Sequence, residues 1–392
     1  MKPLIYKRLI GEMMKIVIAP DSFKESLDAL AVATCIENGF SQIFKEAEYI
    51  KLPLADGGEG TVDVLLNALQ GEKKFNQVCG PLKTLVNAHW ALVDNNSTAL
   101  IEVAQASGLD LLNPSQRDPE MATSFGTGEL IKYALDLGAT KIILGLGGSA
   151  TNDAGAGIVQ ALGGKLLDAQ GKSIEAGGLA LQKLQSIDLT EVDPRCKTVE
   201  FIVACDVDNP LCGKNGASYI FGPQKGANEQ TVQLLDSALY NFAEIVSGII
   251  NINHAETPGF GAAGGIPLGL SLLFNLQIKP GIEMVLDAVG ADEVLKGADL
   301  VITGEGQMDN QTLQGKTPYG IAKRAQAHGI PVIAIAGSLG QEVEALYPKI
   351  SGVFGTVRSP QTLQQVLLEA DKNLTRTARN IAAMLKLGKE IL

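Results

Sequence analysis

Short runs of consecutive apolar residues, each of strand length, recur along the chain. Each ends in a polar loop, and a stretch of helical periodicity then begins. KIVIA (15–19) leads into Pro20-Asp21-Ser22-Phe23-Lys24, and YIKLPL (49–54) into Ala55-Asp56-Gly57-Gly58-Glu59-Gly60. KIILGL (141–146) and VEFIVA (199–204) lead into Gly147-Gly148-Ser149 and Cys205-Asp206-Val207-Asp208. DLVI (299–302) and VIAIA (332–336) lead into Thr303-Gly304-Glu305-Gly306 and Gly337-Ser338. Continuous apolar strands alternating with helices predict parallel sheets covered on both faces, hence an α/β fold.

Helical spacing is legible in three places. After the first strand, Ala33, Ile36, Phe40, Ile43 and Phe44 fall on one face, and Ser22 with Glu25 reads as a capping box before them. A second helix is expected near 127–137 and a third over 231–247, with Val232, Leu235, Leu239, Phe242 and Val246 aligned. Residues 74–104 break the alternation and read as an antiparallel meander with turns at Gly80-Pro81 and Asp94-Asn95-Asn96. With a second break at Lys279-Pro280-Gly281, this predicts a discontinuous Rossmann-like domain (14–84 with 285–392) and an inserted α/β domain (85–284). Residues 1–13 read as an N-terminal extension, with Met14 a natural start.

Composition narrows the function. Of 392 residues, 46% are apolar and 19% charged, enough to bury a core. The net charge of −11, with no basic run, argues against nucleic acid and anionic membrane as partners. The five cysteines show no C-x-x-C spacing, so free thiols in a reducing compartment are expected. Glu12 and Lys15 interrupt the apolar N-terminus, and no 18-residue apolar stretch occurs. A cytoplasmic protein without a signal sequence or membrane span is therefore expected.

Ligands of open α/β sheets bind beyond the carboxyl ends of strands, which singles out these loops as a set. Two resemblances among them fail on inspection. Gly315-Lys316-Thr317 mimics a phosphate loop, but Asn310 stands where that pattern needs glycine. Gly145 to Ala150 fits G-x-G-x-x-A, but Thr151-Asn152-Asp153 follows where an apolar helix face should begin. It leaves an NAD-dependent hydroxy-acid dehydrogenase as one rival class; a non-catalytic small-acid binding protein is another. Phosphoryl transfer suits the inventory better. It needs donors to cradle phosphates, a cation to bridge their oxygens and a carboxylate to orient the attacking hydroxyl. The strand-end acids are Asp56, Glu59, Asp153, Asp206, Asp208 and Glu305. Lys24, read as lying in the first turn of a helix where a cation is unfavourable, points to an anionic ligand. Gly147-Gly148-Ser149, read as opening a helix, offers free amides for a carboxylate or phosphate.

From residue 14 to about 385 the chain resembles the bacterial glycerate kinase family. The resemblance is carried, in order, by IAPDSFKESL (18–27), LPLADGGEGTVD (52–63), TSFGTGELI (123–131) and ILGLGGSATNDAGAG (143–157). It continues through ACDVDNPLCG (204–213), FGPQKGA (221–227), GFGAAGG (259–265) and VITGEGQMDNQTLQGKTP (301–318). It implies ATP-dependent phosphorylation of D-glycerate to 2-phosphoglycerate, or to 3-phosphoglycerate, with Mg²⁺. It also implies two α/β domains, one Rossmann/flavodoxin-like, with the active site in the cleft between them. The chain departs from the pattern at Glu25, where glycine is common, and at Thr257 and Phe260, where leucine and alanine are common.

On this reading Asp21, Ser22, Lys24, Gly148, Ser149 and Asn152 bind substrate, and Asp206, with Lys24 beside it, is assigned as catalytic, a role that Asp56 or Asp208 could exchange with it. Gly304, Glu305, Gly306 and Lys316 line the nucleotide side, and Asp56 and Asp208 hold the metal. A homodimer is one assembly open to such a chain.

Overall fold

The structure, a computed structural model, describes residues 13–57, 61–69 and 71–391. The N-terminal extension, apart from Met13, and Glu59 lie outside the described residues. The chain forms two compact units. One comprises the residues up to Asp56 together with Ile282 onward, and the other is the continuous stretch Gly57–Gly281.

The first unit is built on a five-stranded parallel sheet. Its order is Gly352–Gly355, Val332–Ala336, Leu300–Thr303, Lys15–Ile18, Glu48–Lys51. Counted within the unit this is the flavodoxin-like order 2-1-3-4-5. Ile16 pairs with Leu300 on one side and Tyr49 on the other, and Val301 with Val332. Every residue of Leu300–Thr303 and Val332–Ala336 is buried, which explains why these strands read as unbroken apolar runs. The helices Ala29–Phe40 and Ala370–Ile391 contribute Ile36, Phe40, Leu374, Ala378 and Ile381 to the core that includes Ile16, Ile18 and Ile302. At Gly39 these helices approach so closely that a Cβ would fall 2.5 Å from the Thr375 carbonyl oxygen. The helix Thr317–Ala327 meets Ile282 at Gly320, and its Arg324 binds Glu283, Asp287 and Asp292.

The second unit carries a six-stranded mixed sheet: Leu276–Lys279, Glu200–Ala204, Lys141–Gly145, Thr98–Glu102, Leu85–Val93, Glu72–Cys79. The first four strands are parallel, and the last three, sharing Thr98–Glu102, form the antiparallel meander expected from the sequence. Trp90, fully buried, donates its indole N–H to Asn76 across this meander. The helix Glu229–Ile250 starts on the Asn228 cap and lays Val232, Leu235, Leu239, Phe242 and Val246 into the core. The expected second helix is Phe125–Asp136.

Three sequence expectations need correction. Residues 57–84, expected with the discontinuous domain, belong to the other unit, because Glu72–Cys79 pairs along its whole length with Leu85–Val93. The first helix begins at Ala29, on an Asp28 cap that accepts the Ala31 N–H, so Ser22 and Glu25 are no capping box. Residues 23–27 instead form a tight turn closed by Phe23 and Leu27, with Glu25 left-handed at φ 63°, so Lys24 lies in a turn and in no helix. Finally, Gly147-Gly148-Ser149 does not open a helix, since the next one is Ala156–Ala161.

Candidate functional site

In a 2-1-3-4-5 sheet the chain leaves in opposite directions from the first and third strands, and the loops there open a crevice. In the first unit these loops are Pro20–Ser26 and Gly304–Gly306. They remain bonded past the strand ends, with Ala19 N–H on the Ile302 carbonyl and Asp21 N–H on the Gly304 carbonyl at 2.8 Å. Gly304 packs directly on the strand Val332–Ala336, where a Cβ would lie 2.0 Å from the Ile335 carbonyl oxygen. It therefore shapes the loop, whereas Glu305 and Gly306 face the open space.

That space is a cavity of ≈ 840 Å³, and Asp21, Ser22, Lys24, Asp56, Glu305 and Lys316 are among the residues lining it. Asp21 accepts the Ser22 N–H at 2.6 Å on one oxygen and the Thr317 hydroxyl at 2.6 Å on the other. Burial, reinforced by the nearby charge of Asp56, raises its pKa to about 6 against the pull of these donors. Glu305 accepts the Thr312 hydroxyl at 2.8 Å, and Lys316 Nζ lies 3.6 Å from its other oxygen. Burial and Asp21 push the Glu305 carboxyl up to about 7, although Thr312 and Lys316 oppose the shift. Lys316 occupies the N-cap position of the helix Thr317–Ala327, its side chain making no capping bond. The cavity lining mixes the carboxylates Asp21, Glu25, Asp56 and Glu305 with the cations Lys24, Lys316 and Arg358.

The remaining predicted residues belong to the second unit. The loop after Lys141–Gly145 is pinned by Leu109 N–H on the Gly148 carbonyl and Ala150 N–H on the Ser107 carbonyl. Gly148 takes φ 71°, a left-handed angle that suits glycine. The N–H groups of Gly148 and Ser149 donate no hydrogen bond among the described residues. Beneath the loop lies Lys225, 2% exposed, whose Nζ is 2.9 Å from Ser149 Oγ and 2.7 Å from the Thr151 carbonyl oxygen. Burial pushes its pKa down to about 7, with Asp153 resisting. Asp153 is itself fully buried and accepts from Ser124 N–H and Oγ–H and from the Gly155 and Gly157 N–H groups. Four donors tie it to loop construction, with no room for a reactant. Asn152 is fully buried, donates to Ser218 Oγ and leaves its Oδ1 without a partner among the described residues. Asp206 and Asp208 follow the strand Glu200–Ala204 and are exposed, and Asp206 accepts the Gly281 N–H at 2.8 Å.

Sequence reasoning missed Lys225, Thr312 and Thr317 as site residues. Thr317 was in view within the false phosphate-loop match, and Lys225 within FGPQKGA. Nothing local to either motif announces burial of a lysine. The G-x-G-x-x-A match does not build a dinucleotide turn, because no helix starts at its end. Among the described residues no group of three or more His, Cys, Asp or Glu side chains forms a metal-ligand cluster, and no helix is long and apolar enough to cross a membrane. The donors facing the cavity are hard carboxylate oxygens. They suit Mg²⁺ bound through one or two carboxylates together with the phosphates of a substrate.

The profile of the Glycerate kinase family matches residues 16–386. The chain belongs to the glycerate kinase family. It is 50% identical to the glycerate 2-kinase of Escherichia coli K12 over 376 residues, covering 96% of this chain and 99% of that protein. It is also 50% identical to a glycerate kinase of Haemophilus influenzae over 373 residues, covering 95% and 99%. Among solved structures it is similar to a Salmonella typhimurium LT2 protein assigned as a glycerate kinase 2. That match has a TM-score of 0.89 and 49% identity, and covers 97% of this chain and 100% of that one. Membership in this family makes the chain an enzyme of the kinase class, and a likeness of this extent makes its fold α/β with parallel sheets.

Proposed function

We propose that the chain transfers the terminal phosphoryl group of ATP to the 2-hydroxyl of D-glycerate, giving 2-phosphoglycerate and ADP. The observation that carries this reading is the cavity at the strand switch of the first unit. It sets the cations Lys24, Lys316 and Arg358 among the carboxylates Asp21, Glu25, Asp56 and Glu305, in a chain that belongs to the glycerate kinase family. The choice of the 2-hydroxyl follows the name of the Escherichia coli relative.

In the reaction the hydroxyl oxygen forms a bond to the terminal phosphorus, the bond from phosphorus to ADP breaks, and the hydroxyl proton passes to a carboxylate. Asp206 is assigned as the acceptor of that proton, its carboxylate oriented by the Gly281 N–H. The Gly148 and Ser149 amides, which donate to no other group among the described residues, and the Ser149 hydroxyl bind the glycerate carboxylate. Asp21, Ser22 and Lys24 are assigned to the anionic reactants and Lys316 to the phosphates, and Asn152 supports the loop that carries Ser149. Asp56 and Asp208 are the residues assigned to Mg²⁺, which when bound with the nucleotide neutralises phosphate charge.

Phosphorus NMR after incubation with ATP, Mg²⁺ and D-glycerate tests the assignment. A 2-phosphoglycerate resonance is expected; 3-phosphoglycerate would overturn the choice of hydroxyl, and unconsumed ATP the reading as a whole. Asp206→Asn should lower turnover by roughly 10²–10⁴. Full turnover with an intact fold would remove Asp206 from the role.

A further inference from the structure

The cavity of the first unit is also lined by residues that the phosphoryl chemistry does not use. Alongside the polar Arg358, Ser359 and Gln361 these include an aliphatic set, Val357, Leu363, Val366 and Leu367. Leu363 is 71% exposed and Val357 42% exposed, so this set presents aliphatic surface to solvent. Exposed apolar surface gathered in a concave site is a mark of ligand binding.

The backbone beside these side chains is equally unusual. Thr356 is held by its N–H on the Ala336 carbonyl and by Arg376 on its own carbonyl. From Val357 to Gln361 no backbone N–H or C=O makes a hydrogen bond among the described residues. Gln361 donates its amide to Glu369, and its Oε1 has no partner among the described residues. A flat heteroaromatic base, apolar on its faces with donors and acceptors on its edge, complements aliphatic surface flanked by unpaired backbone. The polyanionic tail of the same molecule would reach Lys24 and Lys316. At ≈ 840 Å³ the cavity lies within the range of small-molecule sites.

We propose that the segment Val357–Gln361 together with Leu363, Val366 and Leu367 of the helix Leu363–Leu368 seats the purine base of the nucleotide, with its phosphates toward Lys24 and Lys316. This assignment rests on the kinase reading above.

The test compares two exposed leucines of one short helix. Leu363 lines the cavity, whereas Leu368, 76% exposed, does not. ADP and inorganic tripolyphosphate binding are measured by calorimetry on the full chain, on Val357→Ser/Leu363→Ser and on Leu368→Ser, with thermal melts as a fold check. The double variant should bind ADP about tenfold more weakly or worse, since each side chain loses apolar contact with the base. Its tripolyphosphate binding and its KM for D-glycerate should be unchanged, and Leu368→Ser should match the parent. ADP binding unaltered by the double variant would overturn the base seat and leave the kinase reading standing. Equal losses for ADP and tripolyphosphate would also overturn it. Failure of the unaltered chain to bind ADP at all would remove both.

Discussion

Lys225 extends its amine to the Ser149 hydroxyl and the Thr151 carbonyl oxygen, and both bonds lie in a region almost closed to solvent. A neutral amine has two N–H groups, which matches these two acceptors. The loop that presents Ser149 is therefore braced from below by a side chain that loses little by shedding its charge.

Lys225→Met keeps the stem and removes both donors. Leaving buried acceptors unsatisfied should cost about 1–3 kcal/mol each. The sign of the pH effect follows from a folded pKa of about 7 against an unfolded value of 10.5. Between these the unfolded chain binds the extra proton, so the contribution of Lys225 to stability rises with pH from about 7 to about 10.5. The parent should gain on K225M in denaturant titrations as pH moves from 7 to 9. Parallel curves would contradict the buried titration.

Glu305 runs the other way. Its carboxyl titrates near 7 when folded and near 4.5 as a free side chain, so the folded state retains a proton in that window. Stability is fully present below about 4.5 and is lost as pH rises through about 7. Glu305→Gln keeps an acceptor for Thr312 and abolishes the decline. Melting temperatures at pH 5 and 8 should therefore differ less for E305Q than for the parent.

Glu25 holds φ at 63° in the turn that carries Lys24, a region that costs a residue with a Cβ roughly 1–2 kcal/mol. Glycine removes the clash but adds freedom to the unfolded chain, worth about 0.5–1 kcal/mol. Glu25→Gly should raise stability by about 0.5–1 kcal/mol, read as an upward shift in the thermal midpoint. A downward shift would mean that the Glu25 side chain makes a compensating contact.

Thr257 and Phe260, both departures from the family pattern, converge on one histidine. Phe260 stacks on His254 with ring centroids 3.9 Å apart and planes 9° apart, and the Thr257 hydroxyl lies 3.1 Å from His254 Nδ1. Burial lowers the His254 pKa, favouring the neutral ring. The effects of Thr257→Leu and Phe260→Ala should be non-additive by about 0.5–1.5 kcal/mol in a double-mutant cycle, because the two share His254. Additivity would dissolve the trio.

The strands were readable because a strand buried on both faces must be apolar throughout, as Val332–Ala336 is. The boundary at residue 84 was misplaced because the switch from alternating strands and helices to an antiparallel meander reads as a domain change, and the break was set beyond the turn at Gly80-Pro81. That turn is a hairpin turn, and such a turn joins two strands of one sheet. The first helix was placed too early because S-x-x-E fits a cap by spacing, while the φ of Glu25 depends on the closure of Phe23 on Leu27. Acids at strand ends marked the cavity of the first unit, since their position follows from topology. Lys225 was invisible as a site residue, because a buried lysine is defined by what folds over it.

The close approach at Gly39 has a consequence for the order of assembly. The helix Ala29–Phe40 buries itself against Leu374, Ala378 and Ile381, and the strand Lys15–Ile18 pairs with Leu300–Thr303. During synthesis at roughly 5–20 residues per second, those partners emerge on the order of ten seconds to a minute after the N-terminal segment. The continuous stretch Gly57–Gly281 is complete before any of them emerges. The ribosome thus releases the interior of the chain ready to fold, while the strand Lys15–Ile18, paired on one side with Glu48–Lys51, waits for the chain's end to cover its other side.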